Sequence, residues 1–196
     1  GGSSYFDNGL DLQKFTQEFR LESNDWGRFD WQAGFYYFYE DITVDSFNYD
    51  TLAGGVQNGY AEQKQENTAW ALFVSGEYDV SDNFVLRGGL RYTDEERELD
   101  YLSVDLNGLL PPEANTMFAY DEDISNDNVT GKLELDWRPA DGVLLYGSVA
   151  LGVKSAGFNT GLLDETGLFG MTVRDDVPYD EEELTSYELG VKTDLF

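Results

Sequence analysis

The sequence predicts an all-β chain of about seven antiparallel, up-and-down strands. Three observations predict it. Apolar and polar residues alternate with period two over seven separate stretches, the spacing that puts successive side chains on opposite faces of a strand. Thirteen Phe, thirteen Tyr, four Trp and 21 Gly stand beside only four Pro, a mixture that suits β-structure with many turns. Tight turns and long acidic connections alternate strictly, which puts every long connection at the same end of a meander.

The first strand covers about 15–24. The second, about 29–41, sets Phe29, Trp31, Ala33, Phe35, Tyr37 and Tyr39 against Asp30, Gln32, Gly34, Tyr36 and Glu40. In the third, about 67–80, Trp70, Leu72, Val74, Gly76, Tyr78 and Val80 oppose Ala71, Ser75, Glu77 and Asp79. The fourth, about 84–99, reads FVLRGGLRYTDEEREL: Phe84, Leu86, Gly88, Leu90 and Tyr92 on one parity, Val85, Arg87, Gly89, Arg91, Thr93, Glu95 and Arg97 on the other. In the fifth, about 128–138, Val129, Leu133, Leu135 and Trp137 oppose Thr130, Lys132, Glu134 and Asp136. The sixth covers about 143–154. In the seventh, about 184–195, Tyr187, Leu189, Val191 and Leu195 oppose Ser186, Glu188, Lys192 and Asp194. NDWGR (24–28), SDN (81–83) and RPADG (138–142) supply the Asn, Asp, Pro and Gly of tight turns. The long connections are expected at about 42–66, 100–127 and 155–183.

An oily strand face can lie on lipid or on a protein core. Two features favour lipid. Aromatics stand at the ends of the oily face: Trp31 and Tyr39, Trp70 and Tyr78, Phe84 and Tyr92, with Trp137 and Tyr187 in the later strands. Eight residues at ~3.3 Å each, tilted by about 40°, rise roughly 20 Å, close to the apolar band of an outer-membrane barrel between its two aromatic girdles. The oily pattern also stops where the long connections begin, as in Leu90, Tyr92, then Asp94, Glu96 and Glu98. A soluble β-sandwich or lipocalin-like barrel shows the same alternation, so the pattern alone leaves open a binding module with acidic cation- or glycan-binding loops.

Charge and composition narrow the function. The chain carries 12 basic and 39 acidic residues, a net charge of −27, which excludes non-specific binding to nucleic acid. Twenty-one of the acidic residues lie in 40–66, 100–127 and 155–183, where Lys64 and Arg174 are the only bases. With neither Cys nor His, disulfides, thiolate or imidazole metal sites and Ser/His or Cys/His nucleophile pairs are ruled out. No cofactor motif is present, and carboxylate pairs alone do not indicate an enzyme. DEDISNDN (121–128) alternates oxygen-bearing side chains like a calcium loop, but Asn126 stands where such a loop needs glycine and Lys132 where it needs Glu. Asn128-Val129-Thr130 fits a glycosylation sequon, a short pattern that chance supplies. No apolar run is long enough for a transmembrane helix. The start GGSSYFDNGL lacks the charged and apolar regions of a signal peptide.

KFTQEFRLES (14–23), FVLRGGLRYTDEERE (84–98), LLYGSVALGVKSAGFNTG (144–161) and EELTSYELGVKTDLF (182–196) resemble, in that order, the barrel region of TonB-dependent outer-membrane receptors. The resemblance covers the strand segments and fades in the long connections. It implies a bacterial outer-membrane location and a transmembrane β-barrel with short periplasmic turns and long extracellular loops. In this family a 22-stranded barrel is filled by a plug domain of the same full-length chain. It imports a ferric siderophore, cobalamin, haem or an oligosaccharide with energy from a TonB-type coupling protein. About seven strands make an incomplete barrel, so the chain reads as an internal excerpt of one, in contact with outer-membrane lipid and lipopolysaccharide. Phe196 matches the usual last residue of outer-membrane proteins, but Asp194 and Lys192 break the apolar alternation expected beside it.

Within that frame Arg87, Arg91, Glu95, Lys132, Glu134 and Lys154 have the parity of the lumen. They would either contact a plug and line the ligand path or form a solvated, mutually paired wall. Tyr49, Tyr60, Phe118, Tyr120, Phe158 and Phe169, in the long connections, are candidates for stacking on a ligand, and packing of loop against loop is the alternative. Trp31, Tyr39, Trp70, Tyr78, Phe84, Tyr92, Trp137 and Tyr187 are the candidate membrane girdle.

Overall fold

A computed structural model of the chain describes residues 4–24, 26–50, 54–106, 116–163 and 176–194. One antiparallel sheet contains β1 (Ser4–Glu22), β2 (Phe29–Asp50), β3 (Val56–Ser81), β4 (Phe84–Asp105), β5 (Thr116–Ala140), β6 (Val143–Lys154) and β9 (Glu182–Thr193), in that spatial order. Between β6 and β9 lie two short paired strands, β7 (Gly157–Phe158) and β8 (Pro178–Tyr179), and one turn of 3-10 helix at Thr160–Leu162. The sheet is open, with β1 and β9 as its edges.

At one end the strands are joined by tight turns. Asp82–Asn83 and Asp141–Gly142 are two-residue turns, and Gly142 at φ 71° and Gly27 at φ 77° occupy the left-handed region that a Cβ disfavours. Each of these turns is tied to the end of the next strand: the Arg138 amide donates to the Asn83 carbonyl at 2.8 Å and the Asp194 amide to the Gly142 carbonyl at 2.9 Å.

At the other end the strands run further than the alternation predicts. Most of 42–66 and 100–127, expected as loops, is strand: β2 pairs with β3 out to Asp50 and Val56, and β4 with β5 out to Asp105 and Thr116. Backbone pairing continues where the oily alternation stops, because beyond the apolar band both faces can meet water and the outer face no longer needs apolar residues. For the same reason β1 begins at Ser4 rather than near residue 15.

Cross-strand partners share a face, so the register tests the parity reading directly. The predicted oily residues that have register partners fall on one continuous surface; Leu195 lies outside the described residues, and Val80 sits at an irregularity in the β3–β4 register. One row of register partners passes from Trp31, low on β2, through Gly76, Gly88, Leu133 and Val149 to Tyr187 on β9. On its own strand Trp31 lies at the turn end of the apolar stretch, whereas Tyr187 lies at the opposite end. The band therefore climbs across the sheet, the stagger that tilted barrel strands require. This surface is exposed: Leu90 is 61%, Leu133 51% and Leu189 90% accessible.

Candidate functional site

The face opposite the apolar band carries a balanced ion network centred on Arg87. Its register partners are Glu77 on β3 and Glu134 on β5. Arg87 Nε donates to Glu77 Oε2 at 2.6 Å and Nη1 to Asp136 Oδ2 at 2.5 Å, and Nη1 lies 3.6 Å from Glu134 Oε1. Lys132 Nζ sits 2.6 Å from Glu134 Oε2 and Arg138 Nη2 3.5 Å from Asp136 Oδ2. Three cations and three carboxylates neutralise one another, so the network welds three strands together. Asp136 is only 4% exposed and depends most on its partners. Above the network, Ser75, Gly89 and Lys132 help line a hollow of about 350 Å³.

Arg91 is bound differently. Its guanidinium lies 5.3 Å from the ring centre of Tyr36, and Nε donates to Thr93 Oγ1 at 3.1 Å. Among the described residues no carboxylate reaches it as an ion-pair partner. Glu95 instead pairs with Arg97, with Nη2 to Oε1 at 2.7 Å, and Lys154 pairs with Glu182 across β6 and β9 at 2.7 Å.

Further from the turns the two faces exchange character. On β4 the outward parity changes from Leu90 and Tyr92 to Asp94, Glu96, Glu98 and Asp100, while the inner parity changes from Arg91, Glu95 and Arg97 to Leu99 and Tyr101. The inner apolar patch has a partner. Leu163, which follows β7, and Val177, which precedes β8, pack with Ala61, Leu99, Tyr101 and Tyr120, and Phe118 and Phe158 close the cluster. Leu99 is 1% and Val177 0% exposed. Asn126 Nδ2 donates to Glu181 Oε2 at 2.6 Å, the Asn159 amide to the Val177 carbonyl at 2.6 Å, and Lys154 lies 5.0 Å from the Tyr179 ring centre. Residues 155–163 and 176–181, between β6 and β9, thus form a strap across the inner face. Between strap and wall is a polar cavity of about 150 Å³ whose lining includes Glu40, Gln65, Asn67, Arg97, Phe158 and Tyr179.

The outward face at this level is a ladder of like charges. Asp94 is directly opposite Asp127, Glu98 lies between Glu66 and Asp123, and Asp100 is opposite Asp121. Such pairs repel. The stretch 121–128 is part of β5, so its side chains alternate between faces and do not wrap an ion as a calcium loop does. No group of acidic side chains among the described residues is arranged to hold a metal.

Further out, β1–β3 carry aromatics on the outward face. Tyr5 stacks on Tyr49 with ring centres 4.6 Å apart and planes 4° off parallel, and Phe47 meets Tyr60 at 5.2 Å. The Tyr60 hydroxyl donates to Asp45 at 2.8 Å and lies 3.1 Å from Glu62. Hydrogen bonding to Asp45 first, then burial and Glu62, raises the pKa of this phenol.

The six expected ligand-stacking aromatics therefore fall into separate places. Tyr49 and Tyr60 belong to strands and share the outward parity of the apolar band. Phe118 and Tyr120 face inward on β5, and Phe158 lies in β7. Phe169 is outside the described residues. Phe84 stacks on Trp137 at 5.7 Å and Trp70 meets Tyr92 at 5.4 Å. Trp31 meets Trp26 of the first turn at 5.5 Å, and Tyr39, Tyr78 and Tyr187 lie on the same face. The strap residues Leu163 and Val177 were not among the expected site residues. Their signal was on β4, where Leu99 and Tyr101 are apolar on a parity that had been charged.

A family model described as TonB dependent receptor-like, beta-barrel matches residues 1–196. Among solved structures, the ferric yersiniabactin uptake receptor FyuA from Yersinia pestis is 20% identical, with a TM-score of 0.78 over 100% of this chain and 28% of its own. The siderophore receptor PiuA from Acinetobacter baumannii is 16% identical, with a TM-score of 0.60 over 96% of this chain and 30% of its own. The ferric citrate transporter FecA is 14% identical, with a TM-score of 0.57 over 98% of this chain and 26% of its own. The chain spans less than a third of each of these proteins.

Proposed function

The chain belongs to the TonB-dependent receptor β-barrel family, whose place is the bacterial outer membrane, and on that premise we propose that it is part of the wall of an active-transport receptor. The receptor captures a scarce ligand outside the cell and imports it with TonB-supplied energy. Ferric chelates are the leading class, since the similar structures are of a ferric yersiniabactin uptake receptor, a siderophore receptor and a ferric citrate transporter; cobalamin, haem and oligosaccharides are the other classes. The family is one of transport receptors, not of enzymes.

The observation that carries this reading is the continuous apolar face across all seven strands, backed by a charged inner face. In a closed barrel the apolar face meets lipid and the charged face a filled or watery lumen. The tight turns then lie in the periplasm and the extended ends of β2–β5 outside. Arg87, Lys132, Glu134 and Asp136 stiffen the wall, while Arg91, without an ionic partner in the sheet, is the residue offered to a plug domain. Phe118, Tyr120, Phe158 and Lys154 hold or adjoin the strap that narrows the mouth. The outward carboxylate ladder gathers divalent cations, which also bind the phosphates of lipopolysaccharide.

The test is uptake. Disrupting the gene of the full-length protein in its own bacterium should abolish accumulation of one radiolabelled ferric chelate from a panel, with restoration by the intact gene. Unchanged uptake of every chelate would remove ferric transport from the reading and leave the remaining ligand classes to be assayed in the same way.

A further inference from the structure

The extension of β1–β3 beyond the apolar band has no lipid to face, yet it carries Tyr5, Phe47, Tyr49 and Tyr60 on the outward parity. Tyr5 is 48% exposed, so its stack with Tyr49 is open to the surroundings. On the inner face of the same sheet the apolar residues are covered by the strap; among the described residues no second layer packs on these. Beside them, Asp45 and Glu62 are tied together by the Tyr60 hydroxyl, which orders both carboxylates and leaves each with free acceptor positions. Lys64 is the one base on this stretch of β3, so bare phosphates are repelled. An uncharged polyhydroxylated ring suits the surface better. Its C–H face can lie on an aromatic ring and its hydroxyls can donate to the two carboxylates.

We propose that this patch is a docking surface for the neutral sugar rings of the lipopolysaccharide surrounding the receptor. The occupant follows from continuity: the patch lies on the same outward surface as the lipid-facing band, past the carboxylate ladder, and so meets the layer directly above the outer leaflet. This rests on the orientation given above, with the extended strands outside the cell. The consequence is a receptor whose mouth is braced laterally by glycan as well as by hydrocarbon.

The test uses the full-length receptor, purified from outer membranes in detergent and titrated in excess magnesium. The two probes are a lipopolysaccharide with a complete hexose core and a deep-rough lipopolysaccharide lacking those hexoses, and complexes are counted by native mass spectrometry. The expected result is tighter binding of the complete core by about tenfold, abolished in the Phe47→Ala, Tyr49→Ala double variant and kept in Tyr49→Trp, with deep-rough binding unchanged throughout. Heat-modifiable mobility confirms that each variant is folded. Equal affinities for both probes in the unaltered receptor, equal weakening of both in the double variant, or a receptor dimer dissolved by that variant would each overturn the proposal. Orientation is checked separately: Asp50→Cys should react with a membrane-impermeant maleimide on whole cells. Failure to label would refute the orientation itself, whatever the glycan result.

Discussion

Placing an arginine on the outward face should cost stability according to depth. On β5 the outward apolar stretch runs from Val129 to Trp137, and Leu133 is its midpoint, four residues from either end. At ~3.3 Å per residue and a tilt of about 40°, it lies roughly 10 Å from each edge of the band. Leu133→Arg should therefore cost about 3–4 kcal/mol, the value for a cation near the bilayer midplane. Leu90→Arg, two residues from Tyr92, should cost less, about 1–2 kcal/mol, because a long side chain can reach the interface. Ser75→Arg enters the hollow of about 350 Å³ beside Glu77 and Glu134 and should cost under ~1 kcal/mol. Denaturant titration of the full-length receptor refolded into vesicles, with unheated electrophoretic mobility reporting the folded fraction, gives all three values. A Ser75 variant as damaged as the Leu133 variant, or no depth order between Leu133 and Leu90, would refute the assignment of faces.

Three other outcomes are expected. Arg87→Met leaves Glu77, Glu134 and Asp136 without their shared cation and should destabilise by roughly 2–3 kcal/mol, reduced from the value for a fully buried pair because Arg87 is partly exposed. Adding Asp136→Asn should recover part of that loss in a double-mutant cycle. Leu99→Ala opens a cavity under the strap and should cost about 2–4 kcal/mol, read as faster hydrogen exchange at the Asn159 amide while the amides of β6 stay protected. Tyr60, its pKa raised, should stay protonated through the range near pH 10 where ordinary phenols ionise. Its hydrogen bonds contribute stability below that range and lose it as pH rises through the folded-state pKa. The tyrosinate difference spectrum between the unaltered protein and Tyr60→Phe should therefore be flat near pH 10.

The strands within the membrane were legible because lipid imposes a strict alternation. Phe84, Leu86, Leu90 and Tyr92 cannot exchange faces with Arg87 and Arg91 without placing charge in hydrocarbon. Beyond Tyr92 that constraint ends, and 42–66 and 100–127 read as loops although most of their backbone goes on pairing. The extension was visible only as a reversal: Leu99 and Tyr101 become apolar on the parity that Arg91 and Arg97 had held. Recognising it required the partners Leu163 and Val177, more than sixty residues away in sequence, which no local period reveals. Tyr49 and Tyr60 fall in stretches that read as long connections, where a residue has no fixed face. Once they are in paired strands, parity turns them outward.

The apolar surface of this sheet should face hydrocarbon and the opposite surface should not. The most direct measurement places spin labels singly at Leu86, Leu90, Gly89 and Arg91 of the full-length receptor in bilayers. Relaxation by oxygen, which concentrates in lipid, is then compared with relaxation by a water-soluble nickel chelate. Labels at Leu86 and Leu90 should respond to oxygen and be shielded from nickel, and labels at Gly89 and Arg91 should show no such preference for oxygen. The same response at all four positions, or the opposite alternation, would contradict the account.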